Sequence, residues 1–540
     1  MIKITTAILI LISVLMSCQY EDLDDHANQV IASAPFEGLD TIATNDWWKR
    51  GPNAIIDVKV ERHEVIGFAL YTVSNRTMKM TAQLYPLYPE EVREVRLELM
   101  KDGQWEEAQV QKVNDIGWTA IFRLEGWQED VDQAYRLRHG AEAVYEGTIR
   151  KDPKDKGEIV LAALSCNSNK DRGDRDKYVK NINHQNPDLI FFAGDQSYDH
   201  KEHTAAWLKF GDQFGELCRH RPCITIPDDH DIGQGNIWGE SGKKASSSAG
   251  NDGGYFYDVD YVKMVERAQT SHLPDPYDPT PIDRGIQVYY TSLQVGAVDF
   301  AIIEDRKFKS GPSGKIPQQG PRPDHIINPD YDPSSIDLDG LVLLGDRQLS
   351  FLEDWAVDRP GVSAKAVLSQ TGFCGGAHLH GDKENRLHAD LDSNGWPQKG
   401  RNRALEAIQN AGAIHIAGDQ HLATLIKHGV REYDDGPWAF VVPAIVNNYY
   451  SRWWWPEDEQ PGAGANDLLP WTGQYLDGFN NKITMHAYVN PENTSGGSGY
   501  GLIRFDVKSD EVTFECWPRD ANVQLDNAVQ FAGWPKTISI

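Results

Sequence analysis

Six apolar stretches from residue 158 onward end abruptly in polar residues, and this recurrence limits the folds open to the chain. The stretches are EIVLAAL, PDLIFF, PCITI, VDFAIIE, AKAVL and AIHIA, with helical patterns such as DKYVKNINHQ and AAWLKFGDQFGEL between some of them. Alternating strands and helices predict a layered α/β domain. Because ligand sites in such sheets gather at the carboxyl ends of strands, we expect these polar residues to meet.

The residues at these strand ends belong to the types that bind metal ions. They are Cys166, Asp195, Tyr198, Asp229, His230, Asp419 and His421. So many acidic groups repel one another strongly in a small volume unless cations lie between them. Thiolate, phenolate and imidazole ligands favour a transition metal, with tyrosinate favouring ferric iron, whereas carboxylates and amides favour calcium, magnesium or manganese.

The motifs SC, GDQSYDH, DDHD, SQ and GDQH, in this order, resemble those of the calcineurin-like metallophosphatases. Within that superfamily they are most similar to the PhoD-like alkaline phosphatase D family, over roughly residues 158 to 540. The resemblance implies an N-terminal immunoglobulin/fibronectin-like β-sandwich followed by a layered αββα metallophosphatase domain.

The resemblance also implies roles for the strand-end residues. The implied metal ligands are Cys166, Asp195, Tyr198, Asp229, Asp419 and His421, and the implied catalytic residues are His230, Asp195 and Asp229. A packed aromatic is the alternative role for Tyr198, and a small buried apolar residue is the alternative for Cys166. The strand AKAVL ends in Ser369-Gln370 where many relatives have histidine, so one metal would have oxygen ligands alone. We therefore expect a dinuclear or trinuclear centre of iron plus calcium, with manganese or magnesium also possible.

Four further residues are candidates for contact with the substrate. Arg306 follows the fourth strand and offers a cation for phosphate, with a place on the surface as the alternative. Gln370 either orients the site or has a structural role. His378 and His380, with His388, lie in the loop GGAHLHGDKENRLH and could bind a third metal, contact the substrate or only form a polar loop.

The stretch NNYYSRWWWPEDE places five aromatic residues close together. Consecutive aromatics cannot all point into one core from one strand. We expect some of Tyr449, Tyr450 and Trp453–Trp455 to line the entrance of the site or to form a platform for a sugar or nucleoside. Packing between loops is the alternative.

The chain before the α/β domain contains short strand patterns separated by turns. They are AIIDVKVER, VIGFALYTV, KMTAQLYPLY, EVRLELMKDG, TAIFRLEGW and AYRLRHG. Their regular spacing predicts a β-sandwich over residues 46–156, which we expect to be a spacer or docking module. The metallophosphatase domain is then predicted over residues 157–540.

The first 18 residues, MIKITTAILILISVLMSC, predict a signal peptide, because their apolar stretch is too short to span a membrane. The end of this stretch resembles a bacterial lipobox, which implies lipid on Cys18; a plain secretory signal with an incidental cysteine is the alternative. The acidic run QYEDLDDHANQ predicts a tether over residues 19–45. We expect an exported lipoprotein of the outer membrane or cell surface of a Gram-negative bacterium.

Composition narrows the possible partners. The chain has 53 basic and 80 acidic residues, a net charge of -27, which disfavours binding to nucleic acid. Its six cysteines have no spacing typical of a disulfide framework, and pairing of Cys218 with Cys223 stays open.

Taken together, these patterns predict an exported metal-dependent phosphohydrolase. It would cleave phosphate monoesters with metal-activated water and without a covalent intermediate. A phosphodiesterase or phospholipase-type enzyme is one alternative, and a non-catalytic surface-binding lipoprotein on the same fold is another.

Overall fold

The structure, a computed structural model, describes residues 35–381, 386–453, 468–491 and 496–540. The predicted signal peptide, the lipidation site Cys18 and residues 19–34 of the predicted tether lie outside the described residues, as do Trp454 and Trp455. In the described ranges, no helix combines the length and the apolar character that crossing a bilayer requires.

The N-terminal part of the described chain forms two antiparallel sheets. Its strands are β1 (Ile66–Ser74), β2 (Thr77–Leu84), β3 (Glu94–Lys101), β4 (Gln104–Lys112), β5 (Thr119–Glu125), β6 (Gln133–His139) and β7 (Ala143–Ile149). One sheet has the order β1-β2-β5 and the other the order β4-β3-β6-β7. Phe68 and Phe122 from the first sheet share a core with Leu97 and Leu137 from the second. Two sheets around one core are what the predicted β-sandwich requires.

Three details differ from the predicted strands. Residues 54–62 form no strand in the described chain, while β4 and β7 were not expected. None of the nine residues of β4, all of which the structure describes, is buried. Its sequence therefore lacks an apolar alternation, and pairing with β3 holds it in the sheet.

The end of the predicted tether is packed rather than extended. Phe36 lies edge-on to Tyr261 at 5.5 Å between ring centroids, and Leu39 is buried beside it. The carboxylate of Asp40 is fully buried and accepts hydrogen bonds from the backbone N–H of Thr204 at 2.8 Å and from its hydroxyl at 2.6 Å. These apolar and capping contacts make residues 35–45 part of the folded body.

The α/β part supplies the remaining elements. Its helices are α1 (Asp176–Gln185), α2 (His203–Cys218), α3 (Asp229–Ile232), α4 (Val259–Thr270), α5 (Gly345–Trp355) and α6 (Gln398–Asn410). Its strands are β8 (Glu158–Asn167), β9 (Leu189–Phe192), β10 (Cys223–Thr225), β11 (Thr291–Val295), β12 (Val298–Ile302), β13 (His325–Ile326), β14 (Ala364–Thr371), β15 (Ala377–His380), β16 (Ala389–Asp390), β17 (Ile414–Gly418), β18 (Thr424–His428), β19 (Trp438–Val441), β20 (Ala444–Val446), β21 (Ser451–Trp453), β22 (Gly473–Leu476), β23 (Lys482–Tyr488), β24 (Gly499–Asp506), β25 (Glu511–Pro518) and β26 (Lys536–Ser539).

Two large sheets form the centre of this part. One has the order β10-β9-β8-β24-β25-β26, with β20 pairing β8, and the other has the order β11-β12-β14-β17-β19-β18-β23-β22. The strands β8, β9 and β10 are parallel, and so are β12, β14, β17 and β19. All six predicted strands are confirmed, three in each sheet.

The layers follow from which face of each sheet meets a helix. Phe191 and Phe300 lie in the core shared by the two sheets. On the outer side of the first sheet Phe192 packs against Phe214 of α2, at 5.1 Å between ring centroids. On the outer side of the second, Val367 shares a core with Leu405 of α6. The α/β part is therefore built in the predicted αββα order.

The N-terminal sheets pack on helix α2. Phe68 of β1 lies 5.2 Å from Trp207 between ring centroids, and a Cβ atom added to Gly211 would lie 2.0 Å from Phe68 Cδ1. Glycine at this position allows the helix to approach the strand. Cys218, at the end of α2, and Cys223 are free buried thiols whose Sγ atoms are 3.3 Å apart.

The contact between Asp40 and Thr204 predicts a pH-dependent stability. Burial raises the pKa of Asp40 to about 7, although the hydrogen bonds from Thr204 oppose the shift. The folded state therefore holds this proton more tightly than the unfolded chain, so the stabilisation is present at low pH and is lost as the pH rises through about 7. Asp40→Asn removes this titration. We expect the free energy of unfolding of the variant, relative to wild type, to rise by roughly 2 kcal/mol from pH 5 to pH 8.

Urea denaturation of both proteins at several pH values measures this difference. The exposed Asp57, whose Asn variant keeps the acceptor for the Lys59 N–H, provides the matched control. Parallel pH profiles for wild type and Asp40→Asn would contradict the prediction.

Candidate metal centre

The strand ends meet in one cleft with a volume of about 330 Å³. Of the predicted site residues, it is lined by Asp195, Tyr198, Asp229, His230, His380, Asp419 and His421. Cys166 is buried beside it, and potential ligand atoms of Cys166, Asp195 and His421 lie within 4.8 Å of one another. The structure thus brings all seven strand-end residues together, while ligation itself stays a prediction.

Four of these residues have a left-handed backbone. The φ angles are 59° at Cys166, 57° at Asp195, 65° at Asp419 and 51° at His421. This conformation is uncommon for residues other than glycine, and it clusters at functional sites because surrounding structure must enforce it. At Gly194 φ is 111°, and an added Cβ atom would lie 2.5 Å from Asp228 Cβ. Only glycine therefore lets the end of β9 approach Asp228 so closely.

Hydrogen bonds fix the phenol of Tyr198 in the centre of the cluster. Its hydroxyl donates to Asp195 Oδ2 at 2.7 Å and lies 3.1 Å from His421 Nε2. The backbone N–H of Asp195 donates to Asp231 Oδ2 at 2.8 Å. Tyr198 is therefore held between a carboxylate and an imidazole rather than packed among apolar residues.

Four carboxyl groups form the acidic side of the site. Oxygen atoms of Asp195, Asp228, Asp229 and Asp419 all lie within 4.8 Å of one another. Burial, reinforced by neighbouring carboxylates, raises the pKa of Asp195, Asp228 and Asp229 well above the usual range. Asp229 Oδ1 is buried and has no hydrogen-bond partner among the described residues. Bound cations would neutralise the like charges and provide a partner for the Asp229 oxygen. The residues therefore fit the expected metal centre.

Arg306 lies behind this cluster and does not line the cleft. Its guanidinium is buried and lies 2.8 Å from Asp228 Oδ1, 2.7 Å from Asp392 Oδ1 and 3.1 Å from Asp419 Oδ2. Three carboxylates occupy the cation, so this placement does not support the predicted substrate contact, which stays a prediction. The Arg306 guanidinium neutralises part of the acidic cluster from the side away from the cleft.

No family model matches the chain, and no curated protein matches it. Among solved structures, that of PhoD has a TM-score of 0.61 and 13% sequence identity, covering 91% of this chain and 92% of that one. The purple acid phosphatase PPD1 from yellow lupin (Lupinus luteus) seeds has a TM-score of 0.52 and 12% identity, covering 87% and 73%.

The chain has the fold of a PhoD-like metallophosphatase. The resemblance that the sequence motifs indicated is thereby confirmed at the level of fold.

In this metallophosphatase fold, strand β14 contacts the acidic cluster through Thr371 and not through Gln370 as expected. Gln370 is buried, accepts from the backbone N–H of Asp305 at 3.2 Å and donates to Pro227 O at 3.1 Å, outside the cleft lining. Thr371 instead donates its hydroxyl to Asp419 Oδ2 at 2.5 Å. Side chains alternate along a strand, so Gln370 and Thr371 point to opposite faces. This placement agrees with the structural alternative for Gln370, and a substrate contact stays a prediction.

The histidine loop divides between the cleft and the core. His378 is buried, with Nδ1 at 2.9 Å from Leu387 O and its ring 5.5 Å from that of Trp453, and it does not line the cleft. His380 does line it. His378 and His380 are two positions apart on β15, but the pairing with β21 shifts register between Ala377 and Leu379, so the two rings do not share a face. The placement of His378 does not support a contact with metal or substrate, which stays a prediction.

Among its described residues, the aromatic stretch contributes one aromatic side chain to the cleft. Tyr449 lines it, whereas Tyr450 is buried outside the lining. Trp453 is also buried, and its indole N–H donates to Trp471 O at 3.0 Å. The expected entrance role therefore applies to Tyr449, and the packing alternative applies to Trp453.

Several cleft residues have no recognisable signal in the sequence. Arg322, Asp324, His325 and Asp390 line it from the long connections after β12 and β14. His200, whose Nε2 lies 2.5 Å from His230 Nδ1, was also missed as a site residue. The acidic-histidine run that contains His200 is the one available clue, since the other four residues do not follow an apolar strand.

The acidic cluster predicts opposite effects of Asp229→Asn with and without cations. Without them, the variant unfolds at a higher temperature than wild type at pH 8, because one of several like charges is removed. With ferrous iron and calcium added in excess, wild type gains about 2–4 kcal/mol and the variant gains less, because a ligand has been lost.

Thermal unfolding followed by circular dichroism, before and after addition of the ions, measures both effects. Asp339→Asn, at an exposed aspartate that does not line the cleft, serves as the control and should behave as wild type. Equal stabilisation of wild type and Asp229→Asn by the ions would contradict the assignment.

Proposed function

We propose that this protein is a metal-dependent phosphohydrolase that acts on phosphate monoesters. The observation that carries the proposal is the meeting of seven ligand-type side chains in one cleft. The fold is shared with PhoD and with a purple acid phosphatase, which adds support. The cleft, with a volume of about 330 Å³, is large enough for the head of a phosphate ester.

The residues divide into two ligand sets that share Asp195. Cys166, Tyr198 and His421 surround one side of this carboxylate and suit iron, and Asp229 and Asp419 surround the other and suit calcium, manganese or magnesium. Asp195 belongs to both groups of neighbouring ligand atoms, which supports its role as a bridge. Cations bound there would offset the charge of the phosphate and acidify the water that attacks phosphorus.

His230 is suited to polarise the phosphate of the substrate. Burial lowers its pKa well below the usual value, which favours the neutral ring. Its Nδ1 faces His200 Nε2 at 2.5 Å. With His200 as the donor, the single proton of the neutral ring lies on Nε2, which can then donate a hydrogen bond to the phosphate or leaving oxygen without giving up that proton.

Arg322 and Lys170 are the two cationic side chains among the described residues that line the cleft, and Arg322 is the one held by a hydrogen-bonded carboxylate. Its side chain is 51% exposed and is held by Asp324 Oδ2 at 2.6 Å. Unlike Arg306, it lines the cleft and keeps donors free for an anion. We assign to Arg322 the substrate contact that the sequence suggested for Arg306.

Steady-state kinetics with p-nitrophenyl phosphate and bis-p-nitrophenyl phosphate test the proposal. We expect protein loaded with iron and calcium to cleave the monoester with at least a tenfold higher kcat/KM, and a chelator to abolish turnover. His230→Gln should lower kcat by about 10²–10⁴-fold, because the ring that polarises the phosphate is lost. His63→Gln, at an exposed histidine of the N-terminal part, is the matched control.

The outcomes separate the alternatives. Faster cleavage of the diester would assign a phosphodiesterase. Absence of turnover in protein whose elemental analysis shows bound iron and calcium would assign a binding protein and overturn the proposal.

We also propose that the protein is exported and carries lipid on Cys18. The basic, apolar and Ser17-Cys18 sequence of the first 18 residues supports this. Mass spectrometry of the N-terminal peptide from protein made in a Gram-negative host should show diacylglyceryl addition at Cys18. Cys18→Ser should lose the modification and leave the membrane fraction; an unmodified wild-type Cys18 would contradict the proposal.

A further inference from the structure

A second group of potential ligands lies on the wall of the cleft, apart from the strand ends. His325, His380 and Asp390 each offer a nitrogen or oxygen atom, and these atoms lie within 4.8 Å of one another. All three residues line the cleft, yet none belongs to the ligand sets that share Asp195. The sequence separates them by up to 65 positions, so only the fold brings them together.

Backbone pairing holds the three residues in place. His325 and Asp390 are cross-strand partners in the antiparallel pair β13 and β16. His380 is the cross-strand partner of Ser451 in the pair β15 and β21. Cross-strand partners have adjacent side chains, so the positions of these groups are fixed by hydrogen-bonded ladders rather than by loop tips.

The hydrogen bonds of His380 leave one nitrogen free for a metal. Its Nδ1 lies 2.8 Å from Ser451 Oγ, and its ring stacks on Tyr449 at 5.1 Å between centroids. Its Nε2 is buried and has no hydrogen-bond partner in the part of the chain that the structure describes. A second hydrogen bond at the far nitrogen is the usual way in which a protein orients a metal-binding histidine.

The distances among the three groups suit a shared ion better than a direct ion pair. His380 Nε2 lies 3.5 Å and His325 Nε2 lies 3.8 Å from the same oxygen, Asp390 Oδ2. A charged imidazole and a carboxylate in direct contact are about 2.7–2.9 Å apart. Two ligands of one zinc ion, with bonds of about 2.0–2.2 Å, are about 3–4 Å apart.

We propose that His325, His380 and Asp390 bind a divalent transition metal, with zinc as the ion of choice. Two imidazoles and one carboxylate are borderline ligands, which suit zinc better than calcium or magnesium. Three protein ligands leave a coordination position open toward the cleft. Asp324, whose Oδ2 lies 3.6 Å from the same His325 Nε2, adds negative charge beside the site. This site is independent of the proposed hydrolysis.

Zinc binding to the full-length protein, stripped of metal by a chelator, tests the proposal. Inductively coupled plasma mass spectrometry after equilibrium dialysis against zinc gives the number of ions per chain. We expect the double variant His325→Ala, His380→Ala to hold one zinc fewer than wild type. His388→Ala, which removes a histidine of the same loop outside the group, should hold as many as wild type.

Two further variants keep the test decisive. Asp390→Asn is nearly isosteric, so it preserves the fold, and should weaken this zinc by at least tenfold. Asp195→Asn should lose ions at the strand ends but keep the zinc that depends on His325 and His380. Wild-type zinc stoichiometry and affinity in both Asp390→Asn and the double variant would overturn the proposal.

Discussion

Electrostatic repulsion among buried carboxyl groups is the constraint on which the rest of this structure depends. Asp195, Asp228, Asp229 and Asp419 come from three strand ends, and their carboxyl oxygen atoms lie within 4.8 Å of one another. Burial prevents water from screening their charge. One guanidinium, that of Arg306, approaches Asp228 and Asp419 from behind. A single positive charge cannot neutralise four carboxylates. The cleft is therefore suited to bind cations.

Both large sheets contribute residues to this cluster. The Asp419 N–H, at the end of β17, donates to Ser165 Oγ of β8 at 3.0 Å, across the boundary between the sheets. A Cβ atom on Gly418 would lie 2.2 Å from that same oxygen. The sheets therefore touch at the site itself, and the left-handed residues that follow are held by packing from both sides. Such rigidity keeps acidic side chains in position before any ion binds.

An apolar strand that stops at an acid or imidazole is a local pattern, so the sequence predicts well which strand-end residues meet at the cleft. Asp195 and His421 could be identified as candidate site residues from a few neighbouring residues in the sequence. The direction of a side chain is not local: Arg306, Gln370 and His378 have suitable chemistry but face away from the cleft. The wall residues His325 and Asp390 depend on pairing between short strands 64 positions apart, which no periodicity reveals. Phe36 and Asp40 were missed for the same reason, because their partners lie on α2 and α4.

The packing of Phe68 on helix α2 has a practical consequence. That helix supports Phe192 on one side and meets the N-terminal sheets on the other. Removing residues 1–156 would expose Trp207 and its apolar neighbours to solvent. Exposed apolar patches of this kind cause aggregation. The N-terminal sheets therefore cover an apolar face of the α/β part, and expression trials that aim at a minimal soluble protein should begin no later than residue 35.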